Sequence, residues 1–251
     1  MPKRSFSKRA QYQVLLNSDE KSMGDNLIVS SDGLRVIGDQ GYRSIRITHK
    51  ITEGTWFCEC EILPSKNEKA HVRVGWETLE CNVDTPVGYE NISYGFRDVD
   101  GSAVNDGKRK VYGHSFGVGD VIGMLISIPG SNEKDKHQIY TPTIPLQVVP
   151  VIETTEETTK KVPKIIKDST IHFYINGEDQ GIAFKDIYEG NYYATISLYM
   201  QSVVTLNTGP NFKYPIQDLH YSPICDLAEL NPEDERAKQR KKNNSDDETN
   251  D

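Results

Sequence analysis

Along most of this chain apolar and polar residues alternate with a period of two, and that period predicts strands. In TWFCECEI, Trp56, Cys58 and Cys60 fall on one face, and Phe57, Glu59 and Glu61 on the other, with both glutamates expected toward solvent. HVRVGWE groups Val72, Val74 and Trp76 and leaves His71, Arg73 and Gly75 opposite them. STIHFYINGEDQGIAF carries Ile171, Phe173 and Ile175 on one face and then breaks at Asn176-Gly177. That dipeptide tolerates positive φ and suits a hairpin turn. YYATISLY and VVTLNTGP, aromatic and β-branched, close the series. Outside the C-terminal tail no window of about 11 residues shows a 3.6 period, so the expected class is all-β, with two antiparallel sheets packed face to face.

Three segments break the pattern. Residues 1–12 are polar and basic and are expected to fray. Residues 129–168 are rich in Pro, Thr, Lys and Glu, too long for an ordinary connection and too proline-interrupted for a central strand. They read as an insertion inside one domain covering 13–225. Residues 226–251 are dense in charge and poor in aliphatic side chains, a composition that predicts disorder with at most a short helical turn near Asp226 to Leu230.

Charge and cysteine usage narrow the chemistry. A net charge of -8 argues against general nucleic-acid binding and leaves room for a local basic cleft. Basic Lys3, Arg4, Lys8 and Arg9 and the run RAKQRKK read first as solvated tails, then as nuclear-import signals, then as weak contacts with nucleosomal DNA. Cys58, Cys60, Cys81 and Cys225 form no CxxC pair and are expected as free thiols. No apolar run approaches the ~18 residues of a membrane span. The six histidines lack zinc spacing, GVGD precedes a strand where a phosphate loop needs a helix, and no nucleophile-elbow motif is present. No metal, cofactor or catalytic residue is therefore expected.

In order and spacing, SSDGLRVIGDQGY, EGTWFCECEI, VRVGWE, TPVGYENISYGFR, GVGDVIGMLI, INGEDQGIAFKDIYEGNYYATISLY and VTLNTGPNFKYP resemble the SPRY domain of the Ash-two-like, or Bre-two-like, subunits of trithorax (COMPASS, MLL-type) histone lysine methyltransferase complexes. The resemblance runs from Val14 to Pro223. It implies a concanavalin-like sandwich and a nuclear, non-catalytic scaffold subunit that binds an acidic segment of a WD-repeat partner. With that partner it would position and stimulate the SET-domain enzyme that methylates lysine four of histone H-three. Carried over residue by residue, the pocket is Tyr42 in GYRSIR, Arg73 in VRVGW, Pro86 and Tyr89 in TPVGYE, and Arg97 in YGFRD. Animal relatives carry zinc-finger and winged-helix elements ahead of the domain; only about a dozen residues precede it here, so histone-tail or DNA reading by those modules is not expected of this chain. Relatives also dock an amphipathic helix on a dimer of a dumpy-thirty-like subunit. Here Ile224, Leu227 and Leu230 are followed by Pro232 and charges, which leaves that docking doubtful.

The residues alone allow two readings of the pocket. Two guanidinium groups converging on an acidic protein would bind carboxylates in bidentate fashion, framed by Tyr42, Pro86 and Tyr89. Alternatively, an outward strand Arg is a solvated or intramolecularly paired side chain, and Pro86-Val87-Gly88 is only a turn. A different function class, a SPRY substrate receptor in a ubiquitin-ligase assembly, would need an adaptor box or a RING domain, and the sequence has neither.

Overall fold

The predicted alternation resolves into two packed sheets in the computed structural model, which describes residues 13–130 and 164–228. The expectations for the basic N-terminus, for the body of the insertion and for the charged tail beyond residue 228 lie outside the described residues. One sheet runs in the order β1 (Ile28–Val29), β2 (Arg35–Ile37), β13 (Val203–Asn207), β4 (Gly54–Leu63), β9 (Val121–Ile128), β10 (Thr170–Ile175) and β11 (Glu178–Lys185). It is built on the long central pair β4 and β9, with β13 and β10 beside them. Its pairings are antiparallel except for the two-residue β14 (Ser222–Pro223), which lies parallel to β4. The second sheet runs in the order β3 (Arg43–Arg46), β12 (Tyr193–Tyr199), β5 (His71–Glu77), β6 (Ser93–Arg97), β7 (Ala103–Asn105) and β8 (Lys108–Lys110), and it carries the candidate site.

The core lies between the inner faces. Trp56, Cys58 and Cys60 of β4 meet Val72, Val74 and Trp76 of β5 (His71–Glu77) in one cluster, and Cys58, Cys60, Val74 and Trp76 are fully buried. Burying side chains of this size contributes about 1.5–3 kcal/mol each. The two cysteines thus act as small apolar fillers, and burial pushes both thiols well up. Asn176 and Gly177, both at positive φ, make the turn between β10 and β11 (Glu178–Lys185), as their sequence predicts.

One expectation fails at β4. Glu61 is half-buried but Glu59 is 1% exposed, not solvent-facing. The chain after β13 folds back over this outer face: Phe212, Ile216 and Tyr221 pack on Phe57, Leu125 and Tyr174. The Glu59 carboxylate then accepts hydrogen bonds from the backbone N–H groups of Lys213 and Tyr214 and from Asn207 Nδ2. A buried carboxylate with three donors is satisfied, and it pins the covering segment to the sheet.

The end of the fold also differs. A 3-10 turn spans Ile224–Ala228, beginning two residues earlier than expected, and Ile224 and Leu227 are buried in the main core. Those two side chains complete the chain's own sandwich, so they are not free to dock on another subunit. At the insertion, Ser127 and Thr170 are register partners on adjacent strands, so the long excursion leaves and re-enters one sheet side by side. Residues 164–168 already belong to the fold: Ile165 bridges Tyr188, and Ile166 donates its N–H to the carbonyl of Ile187. Deleting residues 135–160 is therefore expected to leave a single cooperative thermal transition. Calorimetry checks this, and a broad or lost transition would show that the excursion is part of the sandwich.

Candidate functional site

The outer face of the second sheet is polar where the inner face is apolar. Ser44 on β3 (Arg43–Arg46), Ser197 on β12 (Tyr193–Tyr199), Arg73 on β5 and Arg97 on β6 (Ser93–Arg97) form one row in register across four strands. Period-two alternation puts all four side chains on the same side. Arg73 and Arg97 are thus direct cross-strand neighbours, a like-charge juxtaposition that costs stability unless something compensates it.

Their surroundings differ. The Arg73 guanidinium carbon stands 5.2 Å from the ring centroid of Tyr42, a cation–π arrangement. Tyr42 stacks on Tyr199 at 4.9 Å, and Tyr199 lies parallel to His71 at 6.2 Å. Arg73 Nε is buried without a hydrogen-bond partner, and among the described residues no carboxylate lies within ion-pair distance of it. Burial lowers the Arg73 pKa, Tyr42 opposes that, and Arg97 lowers it further. A guanidinium remains charged under such pressure. Arg97, in contrast, donates from a terminal nitrogen to Asp100 at 2.7 Å. Pairing within the molecule therefore describes Arg97, while Arg73 keeps an unspent donor.

The turn containing Pro86 and Tyr89 is laid directly on this face. Val87 is fully buried, and its N–H donates to Ser197 Oγ at 2.7 Å. Ser197 in turn shares a hydrogen bond with Ser44, whose hydroxyl reaches the Thr85 carbonyl. The close approach needs Gly95: a Cβ there would lie 2.6 Å from the Val87 carbonyl oxygen. A Cβ on Gly88, itself at φ +89, would lie 2.5 Å from the Val104 carbonyl oxygen. Tyr89 closes the turn with its N–H on the Pro86 carbonyl and stays 56% exposed.

Behind the turn runs a buried chain. Gly88 N–H donates to Ser93 Oγ, and Ser93 Oγ donates to Glu77. Glu77 pairs with Arg46 at 2.7 Å, where both side chains are almost wholly excluded from solvent. Burial raises the Glu77 carboxyl to about 7, with Arg46 and Ser93 pulling it back down. Arg46 further donates to the carbonyls of Lys21 and Cys81, tying two loops to the sheet.

The structure thus joins Tyr42, Arg73 and Arg97 by contact and register and seats the Pro86–Tyr89 turn on their neighbour Ser197. Sequence reasoning missed Tyr199 and Ser197, which enter only through the pairing of β12 with β5. It also missed the ion pair of Arg97 with Asp100, although Asp100 stands three residues away. Two concavities, of ≈ 470 Å³ near His172 and ≈ 1000 Å³ near Glu53, contain none of the five residues. Among the described residues no His, Cys, Asp and Glu group is arranged to hold a metal ion, and no helix is long and apolar enough to cross a membrane.

Comparison with known proteins agrees with this architecture. The SPRY domain family matches residues 55–131. The Set1/Ash2 histone methyltransferase complex subunit ASH2 of Drosophila melanogaster is 32% identical over 215 residues, which is 81% of this chain and 37% of that protein. Subunit ash-2 of Caenorhabditis elegans is 30% identical over 219 residues, 80% of this chain and 38% of the relative. The Set1 complex component ash2 of Schizosaccharomyces pombe is 27% identical over 214 residues, 70% and 33% respectively. The chain spans less than two-fifths of the length of these relatives. The SPRY domain of human HERC1 superposes with a TM-score of 0.55 at 16% identity, covering 77% of this chain and 99% of that one, a likeness of fold. The two-sheet sandwich and the match over residues 55–131 show that the chain carries a SPRY domain, and its sequence relatives across that domain are Ash2-type subunits.

Proposed function

We propose that this chain is a non-catalytic scaffold subunit of a Set1-type complex that methylates lysine four of histone H-three, and that it works in the nucleus. Its relatives are named as subunits of Set1/Ash2 histone methyltransferase complexes or as a Set1 complex component. On this reading the outer face of the second sheet takes an acidic segment of the WD-repeat subunit. Holding that subunit helps to position and stimulate the SET-domain enzyme.

The observation that carries the reading is Arg73, a half-buried guanidinium with an unpartnered Nε on an otherwise acidic protein. A carboxylate delivered there would complete the hydrogen bonding of the fork and meet a charge already shielded from water. Tyr42 would support the guanidinium from one side. Pro86 and the exposed Tyr89 would offer apolar surface to neighbouring aliphatic side chains.

Affinity purification from the protein's own cells tests this, comparing the unaltered chain with an Arg73→Ala, Arg97→Ala double variant by mass spectrometry. Recovery of a WD-repeat protein and a SET-domain methyltransferase with the first, and loss of both with the second, is the expected result. Recovery of ubiquitin-ligase components in their place would overturn the assignment.

A further inference from the structure

The two arginines of the site are not equivalent, and the difference lies in Asp100. Its carboxylate is held in place from one side: Oδ1 accepts the Ser102 N–H at 3.2 Å and the Ser102 hydroxyl at 2.7 Å. From the other side Oδ2 accepts from Arg97 at 2.7 Å and faces Arg109 on β8 (Lys108–Lys110) at 3.6 Å. Arg109 is the register partner of Val104, which pairs with Gly95, so Arg109 shares the outer face with Arg97. One carboxylate therefore lies between two cations of the basic face. It stands on the guanidinium that an incoming carboxylate would seek, while Arg73, one strand away, has no such partner.

We propose that Asp100 is an internal competitor for acidic ligands, occupying Arg97 so that Arg73 is the principal anchor and the ligand's second carboxylate adds little. This rests on the reading of the face as an acidic-segment site. The arrangement also eases, without abolishing, the repulsion of two adjacent cations in the unliganded protein, since Asp100 offsets part of the charge of Arg97. A ligand that engages Arg97 must displace a carboxylate already fixed by Ser102, exchanging one ion pair for another. Its gain there is small, and specificity concentrates on the geometry at Arg73.

The test is binding of a fluorescein-labelled peptide with consecutive glutamates flanked by leucines, measured by anisotropy at fixed ionic strength on the full chain. Asp100→Asn keeps the shape and the Ser102 contacts but weakens the hold on Arg97, and should raise affinity roughly twofold to fivefold. Arg97→Ala should change affinity by less than about twofold in the natural background, and should cancel the gain when combined with Asp100→Asn. Lower affinity in Asp100→Asn would overturn the proposal and make Asp100 a residue that orients Arg97 toward ligand. Unchanged affinity would overturn it as well. Arg73→Ala separates the two levels of inference: if the peptide binds the natural chain no better than this variant, the acidic-segment reading itself falls, and the role of Asp100 with it.

Discussion

Arg73→Ala is expected to lower affinity for an acidic peptide by about tenfold to a hundredfold while leaving the domain folded. A charge-assisted hydrogen bond in a partly desolvated setting contributes about 1.5–3 kcal/mol, and each 1.4 kcal/mol is about a factor of ten. Arg73 has no ion-pair partner among the described residues; it packs on the Tyr42 ring and feels the charges of Arg97 and, at longer range, Asp98. Removing it therefore costs the core little, and the thermal midpoint should move by no more than a few degrees. Arg73→Lys separates charge from shape. An ammonium keeps the attraction but lacks the planar fork, so it should recover only part of the loss, and what it recovers should fade as salt is added. Anisotropy titrations with parallel thermal melts make the measurement. Unaltered affinity in Arg73→Ala would remove the residue from the site, and a large fall in melting temperature would make it structural.

Where the signal is local, the chain states its structure openly. The alternation in HVRVGWE assigns Arg73 to the face opposite Val72, Val74 and Trp76, and the sheet obeys it. Asn176-Gly177 names its own turn. Cys58 and Cys60 are read as core from their phase with Trp56, and all three lie in one cluster. These inferences need only neighbours in sequence and the geometry of an extended chain.

The failures share a cause as well. Glu59 has the phase of a solvent-facing residue, and it is buried because Lys213 and Tyr214, more than 150 residues later, bring their N–H groups to it. The stacking of Tyr199 on Tyr42 depends on β12 pairing with β3 on one side and β5 on the other. Ile224 and Leu227 have a helical spacing that invites a partner, yet the sandwich itself takes them up. Period reports which side of a strand a residue occupies, and it does not report what later folds across that side. At the site this distinction is decisive. The two arginines are legible as surface residues of the same face, but Asp100 on one and the bare Nε of the other are visible only in three dimensions.

The second large effect is expected inside the molecule, at Arg46. Its side chain is fully buried, pairs with Glu77 at 2.7 Å and donates to the carbonyls of Lys21 and Cys81. Removing one partner of a buried ion pair leaves the other uncompensated, so Arg46→Ala should cost about 3–5 kcal/mol of stability. The deficit should also depend on pH. Burial already raises Glu77 to about 7 from 4.5, so the folded state holds its proton where the unfolded chain has lost it. A carboxyl raised in this way contributes stability below its unfolded value and loses it as pH rises through the folded one. Without Arg46 the carboxyl rises further, so the deficit should widen from pH 5 to pH 8 in urea titrations. A loss under about 1 kcal/mol, or one that does not change over that range, would count against the buried pair. Binding should follow stability only in part. Replacing both partners, Arg46→Met with Glu77→Leu, should regain most of the stability, because an apolar pair of similar volume is close to neutral in such a position. It would nevertheless leave Ser93 Oγ without the acceptor it uses while receiving the Gly88 N–H. The Pro86–Tyr89 turn would then be less firmly held on a sheet that is otherwise intact. In that double variant the fold should recover while affinity for the acidic peptide stays reduced, because the buried chain from Arg46 to Gly88 aims a surface as well as stabilising a core.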